Sequence, residues 1–288
     1  MDWITGIQKA LDYVEAHLTE EIDLDQIAAE SFSSSYHFQR TFSILCGYTL
    51  GEYIRLRRLS MAGAELANNK EKVIDVALKY GYDSPDSFAK AFQKFHGIPP
   101  SKARSSGETL KSFSRLSIKI SLEGGNTMHY KIEEKEAFYV LEKVETHTLE
   151  NGQNLTSIPQ FWAIAAQDGT IDTLEALRND TPYLFGICYN EAPNTQTFDY
   201  SIATKCNEDT LPPNGFRKTY IPKKTWAVFQ CIGAMPNAIQ DMWRKVLSEF
   251  FPTSEYKPTG ELDIEAYMDG DMDSPDYRSE IWIPIQKK

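Results

Sequence analysis

Long apolar runs, paired cysteines and a basic surplus are all missing from this sequence. No stretch of about 18 apolar residues occurs, and no basic segment followed by an apolar one opens the chain, which argues against a spanning helix or an export signal. The four Cys stand apart at 46, 188, 206 and 231, without the close spacing of a zinc or redox motif, so free thiols in a reducing compartment are expected rather than a disulfide frame. The five His, at 17, 37, 96, 129 and 147, form no metal-ligand spacing and are expected on the surface or in the core. No Ser-His-Asp arrangement and no phosphate-binding loop is visible, so the expectation is a cytoplasmic protein that is not an enzyme, with no cofactor, metal or catalytic residue.

The formal net charge is −11, which at first speaks against nucleic acid. The charge is uneven, however. From Leu24 to Ser106 there are 11 Lys and Arg against 8 Asp and Glu, or +3; from Gly107 to the end there are 18 against 27, or −9. The first third is thus able to face phosphate while the rest keeps the molecule acidic. With 41% hydrophobic and 25% charged residues, the 288-residue chain suits about two soluble globular domains.

What the chain does contain is a repeat. SSYHFQRTFSILCG (34–47) returns as SPDSFAKAFQKFHG (84–97), matching Phe38 with Phe88, Arg40 with Lys90, Phe42 with Phe92 and Gly47 with Gly97. Each copy has a capping Ser, apolar residues at helical spacing, a cation on another face and a Gly that stops the helix. The first copy follows an amphipathic helix over 3–18 and a short helix opened by the capping box Asp23 and Gln26. The second follows a helix with Val73, Ile74, Ala77 and Leu78, and a turn at Tyr80-Gly81-Tyr82; Pro85 takes the first helical position. Between the copies runs a helix beginning after Thr49, LGEYIRLRRLSMAGAELANN; at 1.5 Å per residue it spans ~28 Å, close to one turn of B-DNA. Each copy with its preceding helix reads as a helix-turn-helix.

A Ser-, Lys- and Gly-rich stretch follows, with SLEGGN (121–126) as linker and a short strand expected over Ser117–Ser121. After Thr127 the periodicity becomes alternating. Strands are expected over Phe138–Val144, Tyr183–Tyr189, Thr197–Thr204, Trp226–Ile232, Leu262–Met268 and Glu280–Ile285, and helices over Ile158–Ala166 and Ile239–Phe250. The fold class is therefore an all-α N-terminal domain with two helix-turn-helix units joined by a long helix, then an α+β domain of two similar halves around an antiparallel sheet. The boundaries are 1–106, a linker over 107–126, and 127–288.

IAAESFSSSYHFQRTF (27–42), GEYIRLRRL (51–59) and VALKYGYDSPDSFAKAFQKFHGIPPSKAR (76–104) resemble, in order and spacing, the DNA-binding domain of AraC/XylS-family transcription regulators. Phe32 departs from that pattern, standing where the first turn usually carries Gly. TWAVFQCIG (225–233), MWRKVLSEFFP (242–252), ELDIEAYMDG (261–270) and EIWIPI (280–285) resemble the GyrI-like effector-binding domain, and the order of the two parts resembles Rob-like regulators. The resemblance implies a DNA-binding transcription regulator modulated by a small hydrophobic or cationic effector, with double-stranded DNA and RNA polymerase as partners and no membrane. The alternative is a small-molecule-binding or hydrolytic protein, with a Glu–Tyr or Glu–Trp pair for general-base work and an N-terminal interaction module.

For DNA the candidates are Ser35, Tyr36, Gln39 and Arg40 on the first repeated helix and Ser84, Asp86, Ser87, Lys90, Gln93 and Lys94 on the second. Arg takes guanine O6 and N7 bidentately and Gln takes adenine N6 and N7, whereas Asp86 repels phosphate and Lys90 offers a point charge without a fork. The first helix is expected to read bases and the second mostly to anchor on backbone. Arg55, Arg57 and Arg58 suit either ion pairs that brace the helices or DNA contacts. For the effector the candidates are Glu265, Tyr267, Trp226, Phe161, Trp162, Tyr189, Trp282 and Glu280. Alternation along LDIEAYM puts Asp263, Glu265 and Tyr267 on one face, which is a solvated face unless a pocket covers it; the family resemblance places a central carboxylate among aromatics there. Such a site suits organic cations. Glu280 beside Trp282 is equally readable as an edge charge, and Trp243, at helical spacing, as core.

Arg40→Ala and Gln39→Ala are expected to abolish sequence preference, each losing a bidentate base contact of ~1–3 kcal/mol. A gel-shift comparison of specific and scrambled duplexes checks this, and sequence-specific retention by both variants refutes it.

Overall fold

The computed structural model describes residues 3–24, 26–27, 35–68, 71–105, 108–117, 127–149, 152–189 and 197–288, with the backbone alone at 3, 4 and 35–37. The first turn, with Ser34 as the expected cap and Phe32, lies outside the described residues, as do the linker 121–126 and most of the strand expected over Ser117–Ser121. The chain divides into two compact units: Met1–Phe32 with Tyr48–Ser121, and Ser33–Gly47 with Leu122–Lys288. The first repeated helix falls within the second of these units.

In the first unit, helix α1 spans Trp3–Ala16 and buries Ile7, Ala10, Leu11 and Val14 at the expected period. The Gln26 N–H donates to Asp23 Oδ1 at 3.4 Å, the backbone half of the expected box. Numbering in chain order, α2 is Ser35–Cys46, described with the second unit, and α3 is Leu50–Asn68, 19 residues long. Glu52 and Thr49 cap α3 reciprocally, the Thr49 N–H donating to the Glu52 carboxylate at 3.1 Å and the Glu52 N–H to Thr49 Oγ1 at 3.2 Å. Helix α4 (Val73–Lys79) and helix α5 (Pro85–His96) follow. Ser84 caps α5 by accepting from the Ser87 N–H, and Gly97 ends it in the left-handed region at φ +86°, a conformation that residues with a Cβ rarely adopt. Phe88 and Phe92 of α5, Leu59, Ala62 and Leu66 of α3, and Val76 and Ala77 of α4 make one core.

Two arginines of α3 take the bracing role. Arg57 pairs with Glu15 of α1, its Nε and Nη2 at 2.8 Å from the two carboxylate oxygens, and Tyr53 Oη donates to the same carboxylate. Burial opposes ionisation of Glu15, but the Arg57 and Tyr53 hydrogen bonds outweigh it and hold the carboxyl below its usual range. Arg58 donates to the carbonyls of Leu18 at 2.8 Å and Glu20 at 2.7 Å. His96 is buried against α3, Nε2 to the Leu59 carbonyl at 2.9 Å, with Nδ1 accepting from the Lys111 N–H at 3.1 Å. Burial lowers its pKa, consistent with a neutral imidazole that donates on one side and accepts on the other.

In the second unit, strands β1 (Tyr130–Lys135) and β2 (Phe138–Thr148) lead to helices α6 (Asn154–Ala165) and α7 (Thr170–Ala176). Strands β3 (Tyr183–Tyr189), β4 (Thr197–Cys206), β5 (Arg217–Ile221) and β6 (Lys224–Ile232) come next. Helix α8 (Asn237–Lys245), a π-helical turn (Val246–Phe250) and strands β7 (Tyr256–Pro258), β8 (Leu262–Met268) and β9 (Arg278–Lys287) complete the unit. The strand order is β1-β6-β9-β8-β3-β4-β2-β5, with β7 added on β9, and the pairings are antiparallel. Outward from the central pair β3–β8 the order mirrors itself. Each side is built strand–helix–strand–strand: β2, α6 with α7, β3, β4 on one, and β6, α8, β8, β9 on the other.

Strands β1, β5 and β7 and helix α7 have no counterpart in the sequence reading. β1 and β5 are the two ends of the sheet, where YKIEEK and RKTYI need bury no full face and so lack a hydrophobic period. The helix expected over 239–250 is observed as α8 and then the π turn; the widened turn brings Val246, Leu247 and Phe250 inward together.

A Cβ on Gly63 of α3 would stand 2.6 Å from the His96 ring, whereas one on Gly51 meets nothing within 4 Å. Gly63→Ala is expected to destabilise the protein by ~1–3 kcal/mol through overpacking, and Gly51→Ala to stabilise it by up to ~1 kcal/mol through helix propensity. Denaturant unfolding followed by circular dichroism checks the opposite signs.

Candidate functional site

Strand register sorts the sequence candidates by face. Glu265 lies opposite Gly186 on β3 and Ile281 on β9, so these residues share a face of the sheet with Asp263 and Tyr267. Trp282 pairs with Ile264 and Val228, Glu280 with Ala266, Tyr189 with Leu262 and Trp226 with Pro284, which puts all four on the other face. There Trp226, Trp282 and Tyr189 belong to a core with Val140, Phe185, Ile187 and Ile264. Trp282 Nε1 donates to Glu280 at 2.6 Å and the Lys135 ammonium sits 4.0 Å from the Trp282 ring, so that carboxylate and that indole are already engaged with each other and with a lysine. Phe161 is on the Glu265 side but packs in the core under α6, with its ring 5.9 Å from His147. The eight effector candidates thus do not converge: Glu265, Tyr267 and Trp162 come together, and the other five lie elsewhere.

Two apolar clusters cover the Glu265 face. One packs Ile239, Trp243, Val246, Leu247 and Phe250 onto Ala227, Phe229, Ile281 and Ile283; the other packs Phe161, Ala165 and Leu174 onto Leu141, Cys188 and Ile202. Where they meet, over β3 and β8, the side chains turn polar. Glu265 Oε1 accepts from Trp243 Nε1 at 2.7 Å and its Oε2 from Tyr267 Oη at 2.7 Å. Trp162 of α6 stands edge-on to the Tyr267 ring at 5.3 Å and donates from Nε1 to Tyr200 Oη at 2.9 Å. Burial, with the Glu265 charge added, pushes the Tyr200 and Tyr267 phenols well above their ordinary values, so both stay protonated, Tyr267 as donor to Glu265. Gly186 has no alternative beneath them: a Cβ there would stand far inside van der Waals contact distance of Tyr200 Oη.

A cation already occupies this place. Arg40 of α2 extends its guanidinium 4.3 Å from the Trp243 ring, ion-pairs through Nη1 with Asp263, and holds Nη2 3.8 Å from Glu265 Oε1. Its side chain is 17% exposed and that of Asp263 5%. At an effective dielectric of about 20 a charge pair near 4 Å attracts by ~4 kcal/mol before desolvation, against ~0.5–2 kcal/mol for the cation–π contact, so the carboxylates set the charge preference and the indole sets the shape. One turn further along α2, Ile44 and Leu45 pack on the cluster beneath α8. Phe38 and Phe42 are buried as the stripe pattern expects, while Leu45 is half-buried and part of that contact.

The DNA candidates separate in the same way. Ser84, Asp86, Ser87, Lys90, Gln93 and Lys94 form an exposed face of α5. On α2, Arg40 is turned into the acidic site and Gln39 is half-buried; Ser35 and Tyr36 are helical, their side chains outside the described residues. Sequence reasoning put Asp263 on the Glu265 face without making it a candidate and missed Tyr200 and Gly186; it took Trp243 as core, where it is indeed buried. The overlooked signal was Trp243's own N–H, since a buried indole needs an acceptor. Among the described residues, no three His, Cys, Asp or Glu side chains gather as a metal site and no helix is long and apolar enough to cross a membrane.

Comparison with known proteins bears on both units. A family model described as an integron-associated effector binding protein matches residues 131–285, and one described as a helix-turn-helix domain matches residues 27–106. The chain is 46% identical over 98 residues to the HTH-type transcriptional activator AarP of Providencia stuartii, which is 34% of this chain and 73% of that protein. It is 37% identical over 108 residues to the transcriptional regulator Rob of Salmonella typhimurium, 38% of this chain and 37% of Rob. The solved structure of SAV2435 bound to tetraphenylphosphonium matches with a TM-score of 0.50 and 25% identity, covering 55% of this chain and 94% of that one.

Gly186→Ala is expected to cost ~1–3 kcal/mol of stability by driving its Cβ into Tyr200 Oη. The same change in a Tyr200→Phe background, where that oxygen is gone, is expected to cost at least ~1 kcal/mol less. A double-mutant cycle by denaturant unfolding measures the difference, and strict additivity contradicts the packing.

Proposed function

This chain belongs to the integron-associated effector-binding family over residues 131–285 and to the AraC-type helix-turn-helix regulators over its first third, and from that membership we infer a transcription regulator that senses an organic cation. One observation carries the ligand class: the Asp263, Glu265 and Trp243 site holds a guanidinium, with charge pairing to carboxylates and a ring face beneath it. A lipophilic cation satisfies the same groups, its charge near Glu265 and its apolar surface against Trp243, Tyr267 and Trp162. The likeness to SAV2435, whose solved structure holds tetraphenylphosphonium, supports the same class. Glu265 is the charge anchor, Trp243 and Tyr267 orient its carboxylate, and Trp162 supplies an aromatic wall from the other half of the sheet.

On the DNA side, two helix-turn-helix units joined by α3 bind double-stranded DNA in successive major grooves, α2 through Tyr36, Gln39 and Arg40 and α5 through its exposed Ser84, Asp86, Ser87, Lys90, Gln93 and Lys94. Arg57 and Arg58 are not part of that reading, because Glu15 and the Leu18 and Glu20 carbonyls hold them. RNA polymerase is the partner through which such a regulator acts, and the cytoplasm is where it meets DNA. No catalysis is assigned: Glu265 is engaged by Trp243 and Tyr267 and serves as a counter-charge rather than a base.

Tetraphenylphosphonium titrated into the full chain is expected to quench tryptophan fluorescence saturably, and Glu265→Gln to weaken binding by about 10-fold or more, equal to ~1.4 kcal/mol. Unchanged affinity in that variant removes Glu265 from the site.

A further inference from the structure

Arg40 belongs to two sites that no single position of α2 satisfies. The repeat pattern makes it the cation of a DNA-reading helix, in register with Lys90, which is exposed on α5. The geometry instead lodges its guanidinium among Asp263, Glu265 and the Trp243 ring, while Ile44 and Leu45 hold the next turn of the same helix against the cluster under α8. A guanidinium among these groups cannot also lie in a major groove, because a bidentate base contact uses the same N–H donors.

We propose that Arg40 is a tethered occupant of the effector site, so that an organic cation and the DNA-reading state of α2 are thermodynamically coupled through its expulsion. This rests on the reading of the Glu265 site as a cation site. The cation binds the state in which Arg40 has left and is excluded from the state in which Arg40 is seated. That difference in affinity is what allows a ligand to shift a two-state equilibrium. DNA engages α2 in the same Arg40-out state, so each ligand strengthens the other's binding by one factor. Asp263 is the latch residue. Glu265 is already bonded to Trp243 and Tyr267, whereas Asp263, nearly buried, pairs directly with Arg40 Nη1. An effector reaching only Glu265 leaves Asp263 without that partner; one with a planar, multi-donor cationic head, such as an amidinium or guanidinium, replaces the Arg40 contact as well.

The test uses the full chain, tetraphenylphosphonium as probe, and a duplex selected from random DNA by the wild-type protein. If Arg40 occupies the site nine-tenths of the time, Arg40→Ala binds the probe ~10-fold more tightly than wild type in isothermal titration. Asp263→Asn, which leaves α2 intact, is expected to raise duplex affinity without the probe and to shrink the further gain that the probe brings to wild type. Probe binding to Arg40→Ala that is no tighter than to wild type overturns the coupling, with the site itself left standing. Should neither protein bind the probe, the cation-site reading fails. The latch is then judged on Asp263→Asn alone, whose unchanged duplex affinity overturns it. Circular dichroism confirms that each variant is folded before its affinity is counted.

Discussion

A carboxylate at the middle of a covered β-sheet is the constraint around which the second unit is arranged. Glu265 sits among Ile281, Tyr267 and Tyr200, where an unpaired charge would cost several kcal/mol. The structure meets that cost with two neutral donors and one cation: Trp243 Nε1, Tyr267 Oη and the Arg40 guanidinium. Gly186 and Tyr200 answer the same constraint, one giving the space that the other fills. With two carboxylates and one guanidinium, the site sets charge by Asp263 and Glu265 and shape by the Trp243 ring.

The mirrored strand order explains why the site is where it is. Each half covers its own strands with helix, so the seam β3–β8 is where the two apolar clusters end. Each half also sends one indole to the seam, Trp162 from α6 and Trp243 from α8, and each indole N–H finds an oxygen there. At that seam the polar groups are met by the Arg40 side chain rather than covered by an apolar helix face.

The helical unit is held by a different device. Glu15, Tyr53 and Arg57 form one half-buried network between α1 and α3, and His96 reaches the Leu59 carbonyl through the space left by Gly63. These contacts use the polar residues of α3 for cohesion. The face of α5 with Ser84, Asp86, Ser87, Lys90, Gln93 and Lys94 is exposed.

Secondary structure was largely legible in the sequence wherever one face had to be buried. The stripe Phe88 and Phe92 with its Ser84 cap and Gly97 stop, and the alternation of Tyr183–Tyr189 and Leu262–Met268, follow from local periodicity and appear with the expected bounds. The edge strands β1 and β5 were not legible, since burial imposes no pattern on them. Within the site, alternation placed Glu265, Asp263 and Tyr267 on one face, and the sequence could go no further. Composition made Trp226, Trp282 and Trp243 alike as aromatics; register sent the first two to the opposite face, and packing aimed Trp243's N–H at Glu265. The meeting of Arg40 with Asp263, 223 positions apart, was the least legible of all. A helix stripe declares which side is buried, but the partner of its charged side is a matter of where distant strands come to lie, and that is decided only when the chain is folded.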